Sequence, residues 1–116
     1  MESILTSIKK RVGIAADYTH FDEDIIMDIN SVFSRLNQLS VGPSEGFRIT
    51  GADEVWTDFL GDDKTLEAVK TYVYLKVSLT FDPPASATIL NARERMIKEH
   101  EWLFTVDADS KKGRGT

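Results

Sequence analysis

The chain has no cysteine among its 116 residues. That excludes disulfide staples, thiolate zinc sites and cysteine nucleophiles together, and it fits a reducing compartment such as a cytoplasm. Long apolar runs are also missing. No stretch approaches the ~20 consecutive apolar residues of a membrane span. Residues 1–14 carry two lysines and an arginine, but their apolar residues are scattered and no continuous apolar run follows, unlike a secretory signal. Positive charge is in deficit, with 14 Lys and Arg against 19 Asp and Glu and a formal net charge of -5. Sequence-independent binding of nucleic acid relies on clustered Lys and Arg that displace counterions, so DNA nearby is expected to be repelled rather than gripped. There is no glycine-rich phosphate loop, no pair of histidines at metal spacing and no serine-centred nucleophile elbow.

What is present is ordinary globular material: 41% hydrophobic and 28% charged residues. A chain this short has room for one core, and it can bury roughly 65% of the surface exposed when unfolded. The spacing of apolar residues predicts an all-α fold, a small bundle of about four to five helices. Residues 3–12 place Ile4, Leu5, Ile8 and Val12 at helical spacing before Gly13 interrupts them. Residues 15–21 form a connector into Asp22, Glu23 and Asp24, whose carboxylates suit the positive end of a helix, with Asp22 or Thr19 as its expected cap. From there Ile25, Ile29, Val32, Leu36 and Leu39, widened by Ile26 and Phe33, mark a helix of about five turns.

Residues 41–53, VGPSEGFRITGAD, hold three glycines and a proline. They read as a loop or small β-hairpin. Residues 54–60 carry Val55, Trp56, Phe59 and Leu60, one or two helical turns closed by Gly61, whose aromatic face is expected to plug one end of the core. Residues 62–81 carry two signals. Val73, Leu75, Val77, Leu79 and Phe81 alternate with Tyr72, Tyr74, Lys76, Ser78 and Thr80 as in a strand. Yet Leu66, Val69, Val73, Val77 and Phe81 also form one helical stripe beside a second of Ala68, Tyr72, Leu75 and Leu79, and no breaker falls between Gly61 and Pro83. Some twenty uninterrupted residues far exceed the usual length of a strand, and Asp62 and Asp63 supply a capping start, so helix is the reading adopted. A helix apolar over two adjacent faces is buried on two sides, at the centre of a bundle or partly against another subunit, and it asks for more cover than a chain this size easily supplies.

Asp82, Pro83 and Pro84 end that helix, and a second long one starts near Ala85 or Ser86. Its stripe is the set of pairs seven apart, Ile89 and Leu90, Met96 and Ile97, Leu103 and Phe104, interleaved with charge. The two long helices should fold back on each other as a hairpin. The chain thus divides into a helical domain over residues 1–106 and a flexible tail over 107–116, DADSKKGRGT, which has nothing large and apolar to offset its ordering.

Candidate chemistry is sparse. His20 with Asp22, Glu23 and Asp24 has atoms suited to a divalent metal, but adjacent acids at a helix start are the ordinary helix-dipole arrangement. His100 between Glu99 and Glu101 lacks a nucleophile or substrate pocket. Glu54, Asp58, Asp62 and Asp63 are simpler as solvated caps than as paired catalytic acids. The expectation is therefore no catalytic residue, no metal, no cofactor and no enzyme activity. Protein contact is the remaining role. Trp56, Tyr72, Tyr74 and Trp102 are the aromatics of the kind that dominate interfaces, with core packing as the plain alternative for each. The loop residues Phe47 and Arg48 are further candidates, as is the basic cluster Lys111, Lys112 and Arg114.

Three segments carry a resemblance. THFDEDIIMDINSVFSRLNQLSVGP (19–43), WTDFLGD (56–62), and LEAVKTYVYLKVSLTFDPP (66–84) followed by a charged helix ending EWLF resemble the small head-tail connector (adaptor) proteins encoded beside the portal and capsid genes of long-tailed phages and prophages. The likeness runs over residues 4–105. It implies a helical virion subunit, made in the host bacterium, that forms a homo-oligomeric ring of about twelve copies between the portal protein and a tail-side neck or terminator protein. DNA would pass through the ring without specific binding, and no membrane is involved. At -5 per chain such a ring carries about -60, an acidic wall to which DNA does not stick. Two other readings remain at this point, a tail-completion or terminator protein and a small helical DNA-binding regulator.

Overall fold

The computed structural model describes residues 2–61, 64–81 and 83–114, with side chains as far as Ala108. The capping role expected of Asp62 and Asp63, and the part of Asp82 in ending the long helix, fall outside the described residues. Five helices follow in order: α1 (Ile4–Arg11), α2 (Asp22–Gln38), α3 (Trp56–Leu60), α4 (Leu66–Phe81) and α5 (Ala87–Arg114). There is no strand among the described residues, only a single antiparallel bridge between Ser3 and Val55.

Local chemistry sets the ends of these helices. Ser3 caps α1, its side chain accepting from the Thr6 N–H at 3.0 Å, and Lys9, Lys10 and Arg11 complement the negative end of the helix dipole. In α2 the three acids do occupy the first turn, but the cap residue is Phe21, with no side-chain bond. Asp22 lies inside the helix and pairs instead with Lys9 of α1 at 2.8 Å. The Lys9 side chain is 2% exposed; its ammonium donates to the carbonyls of Ala16 and Tyr18, and the Asp22 carboxylate stands beside it as counter-charge. That clamp fixes the connector between α1 and α2.

At its other end α2 closes in a Schellman arrangement: the N–H of Val41 bonds Leu36 O and that of Ser40 bonds Asn37 O. Ser40 takes the left-handed position, φ 65, that glycine usually fills. Gly42 follows with φ +89 and lies against the Phe59 ring, where a Cβ would collide.

Residues 41–53 form a loop without the hairpin. The reason is Asn30 on α2. Its amide donates to Ile49 O at 2.9 Å and its oxygen accepts from Ile49 N–H at 2.7 Å, so the backbone groups that a partner strand would use are already satisfied. Ile49 is buried beneath it. Phe33, Phe47 and Phe59 pack with ring centroids 4.7 to 5.2 Å apart, and Trp56 stands 6.3 Å from Phe33. This aromatic knot closes one end of the core, as expected of α3.

Helix α4 is the centre of the bundle, packed by α1, α2 and α5. Val69, Tyr72, Val73, Leu75 and Val77 are all 3% exposed or less. Most of the apolar surface expected to be surplus on this helix is therefore covered within one chain, with Leu66, Ala68, Leu79 and Phe81 towards its ends half-buried. The surplus lies on α5. Its paired stripe is split, because residues one apart on a helix differ by ~100° in direction. Ile97 and Phe104 are buried and Leu90 is half-buried, whereas Ile89, Met96 and Leu103 face solvent. Helical backbone continues beyond Phe104 to Arg114, and so includes residues 107–114 of the segment read as a tail. No proline intervenes there, and a helix already docked extends by one hydrogen bond per residue.

Two substitutions check this packing. Val73→Asp places an unpaired charge at a fully covered position, which costs several kcal/mol; thermal unfolding should show the protein lost or melting far lower. Ser40→Gly relieves the left-handed position at about 0.5 to 1 kcal/mol, and the melting temperature should rise by about 2 to 4 °C.

Candidate assembly surface

Helix α5 is the least covered element, so what holds it to the body decides what its outer side can do. Apolar contact comes from Ile97 and Phe104, the latter with its ring 5.5 Å from that of Tyr72, edge on. A polar clamp lies beside it. The Tyr72 hydroxyl of α4 donates to Glu101 Oε2 of α5 at 2.5 Å, and Arg35 Nη2 of α2 donates to Glu101 Oε1 at 3.2 Å. Three helices thus meet at one carboxylate. Further along, Arg93 Nη1 donates to Ser78 Oγ at 3.2 Å.

Electrostatics in the clamp are consistent with its geometry. Burial, followed by the hydrogen bond to the Glu101 carboxylate and its charge, pushes the Tyr72 hydroxyl well above its ordinary range, so it remains a proton donor. Burial alone would raise Glu101, but the hydrogen bonds from Tyr72 and Arg35 and the Arg35 charge outweigh it, leaving the carboxyl below its ordinary value of 4.5.

The residues singled out from sequence as contact candidates fall into four groups. Tyr72 is fully buried in the clamp, and Trp56 is buried with its Nε1 donating to Ser7 Oγ at 2.8 Å. Both face inward, so neither is free for a partner. Phe47 and Tyr74 are half-buried, Phe47 in the aromatic knot and Tyr74 beneath the Arg11 guanidinium, 5.6 Å from its ring centroid. Trp102, 65% exposed, and Arg48 reach solvent. Lys111, Lys112 and Arg114 sit on helical backbone, and their side chains fall outside the described residues.

Sequence reasoning passed over Lys9 and Glu101. Both were readable as inward-facing: Lys9 follows Ile8 and lies four residues after Leu5, and Glu101 lies four residues after Ile97 and three before Phe104. It also grouped Ile89, Met96 and Leu103 with the buried stripe. Among the described residues, seven large apolar side chains are exposed, and five of them, Ile89, Met96, Trp102, Leu103 and Val106, are on α5. That concentration marks the helix as the surface on which contact is to be sought.

Of the residues weighed for chemistry, His20, His100, Glu54 and Asp58 have structural partners. His20 packs edge-on against Phe21 at 4.8 Å, His100 Nδ1 lies 2.8 Å from Met96 O, Glu54 accepts from the Thr50 N–H and hydroxyl, and Asp58 accepts from the Val55 N–H. Among the described residues no group of three or more His, Asp or Glu is placed to hold a metal ion, and no helix is long and apolar enough to cross a membrane.

The described residues thus form a small helical bundle whose polar clusters tie helices together and whose exposed apolar side chains concentrate on one long helix. The model of the phage connector protein family matches residues 4–111, nearly the whole chain, and the chain belongs to that family. No curated protein and no solved structure matches it significantly.

The clamp has a pH signature. A carboxyl held below its unfolded value contributes stability at pH above that value and loses it as pH falls through the folded one. Stability measured by denaturant titration should therefore fall below about pH 4.5. Tyr72→Phe should lose about 1 kcal/mol at pH 7, the net worth of a partly screened hydrogen bond to a charged group, and show a shallower acid dependence than the parent.

Proposed function

We propose that this connector is a head-completion subunit, assembling as a ring of about twelve copies between the portal protein and the tail-side neck or terminator protein of a virion. The observation that supports this most directly is the family match over residues 4–111 in a chain whose exposed apolar side chains concentrate on α5. A closed ring buries such surface without open-ended growth. The acidic balance of -5 per chain favours free passage of DNA through the ring, since a channel of like charge offers the phosphates nothing to bind.

Residues 107–116 act in this reading as the portal-docking end, where Lys111, Lys112 and Arg114 supply positive charge in an otherwise acidic chain. Mass photometry and negative-stain imaging of the purified protein, alone and with portal, test the whole reading. Rings, or a defined stoichiometric complex with portal, are expected; persistent monomers that ignore portal would overturn it. Deleting residues 111–116 should leave the melting curve within about 2 °C of the parent while reducing portal capture in a pull-down by about tenfold.

A further inference from the structure

The outer apolar residues of α5 have a regular spacing. Ile89, Ala92, Met96, Leu103 and Val106 follow one another at intervals of three and four once Glu99 is counted in the fourth place, which is the a and d pattern of a coiled-coil seam. All six are exposed, and the seam is about 26 Å long at helical rise. It lies on the opposite side of α5 from Glu101, which faces the body, because residues two apart on a helix point about 200° apart.

Elsewhere on the molecule is a groove of matching character. Two clefts of ≈ 620 and ≈ 480 Å³ share Asn30, Ser34 and Arg48 and run together between the outer flank of α2 and the loop at 45–48. Their apolar lining includes Ile26, Met27, Phe33 and Phe47, and Met27 is 68% exposed. From Glu23 to Asn37 the groove extends about 21 Å along α2. Asn30 and Ser34 lie on a different flank of α2 from Arg35, the residue that reaches α5, and no α5 residue lines the groove, so the chain's own α5 does not occupy it.

Charge fixes how they would mate. Arg48 sits where the two clefts join, exposed and without a hydrogen bond or ion pair among the described residues. Glu99, at the middle of the seam, is likewise exposed and unpaired among the described residues. We infer that the α5 seam of one copy seats in the α2 groove of the next, with Glu99 meeting Arg48. Donor and acceptor surfaces differ, so the contact is head-to-tail, the kind of contact that forms a ring when the rotation between neighbours divides a full turn. This inference rests on the ring reading above and assigns its subunit interface.

The absence of native cysteine makes the test clean. Glu99→Cys chains mixed with Arg48→Cys chains under mild oxidation should yield a disulfide-linked dimer, and either alone should yield far less. Glu99→Arg or Arg48→Glu should weaken self-association, read by sedimentation, by about tenfold or more, and the double swap should recover most of it. Met96→Asp with Leu103→Asp should abolish assembly while leaving the melting temperature within about 3 °C, because both side chains are exposed. Rings that form undiminished from that variant overturn the interface and leave the connector reading standing. Variants that still form rings but lose portal transfer the seam to the portal and also overturn it. A parent chain that neither self-associates nor binds portal at any concentration overturns both.

Discussion

Burial of α4 is the constraint from which the rest of the molecule follows. A helix with apolar residues on two adjacent faces cannot be stable in water until both faces are covered, and a chain of 116 residues has few elements with which to cover them. α1, α2 and α5 all pack against α4. Every other feature serves that closure. The Lys9 clamp holds the connector that sets α2 against α1, the aromatic knot closes the end where α3 turns, and the carboxylate of Glu101 gathers α2, α4 and α5 at one point.

Polar groups in this interior act as fasteners. Burying a lysine ammonium is costly unless its charge is met, and Lys9 donates to two carbonyls and has the Asp22 carboxylate beside it. Asn30 does the same for the backbone of Ile49, standing in for a strand partner. These are short-range substitutions of side chain for backbone bonding. They allow a loop with three glycines to lie against a helix in one defined path, which is what gives the α2 groove its wall.

The fold was largely legible, because period and punctuation agreed: five helices, the Pro83-Pro84 corner and the plug at Trp56 and Phe59 follow from spacing alone. At residues 66–81 the alternating and helical patterns compete, and the lack of any breaker over that length decides for helix. The failures have a common cause, which is that spacing gives direction around a helix but not what stands opposite. Tyr72 and Trp56 are aromatic enough for an interface, yet each has an internal hydrogen-bond partner that a sequence does not announce. Ile89 and Leu90, Met96 and Ile97, Leu103 and Phe104 read as three doublets on one stripe. Only the placement of α4 reveals that the second member of each faces the body and the first faces away.

That split explains why a single long helix serves both folding and assembly. The two apolar rows on α5 are offset by one residue, so they share a backbone but not a neighbour. The inner row, with Glu101 between Ile97 and Phe104, is fixed by hydrogen bonds to two other helices, which holds the helix at a set rotation. The outer row therefore emerges at a defined angle on a rigid rod, already ordered before any partner arrives. A surface preorganised in this way loses little entropy on association, and a modest apolar seam then suffices to join copies. The same argument accounts for the position of the sole charge within the seam. Glu99 weakens hydrophobic packing at one place, but an unpaired charge penalises every register except the one that supplies its cation, so it trades affinity for a single docking geometry.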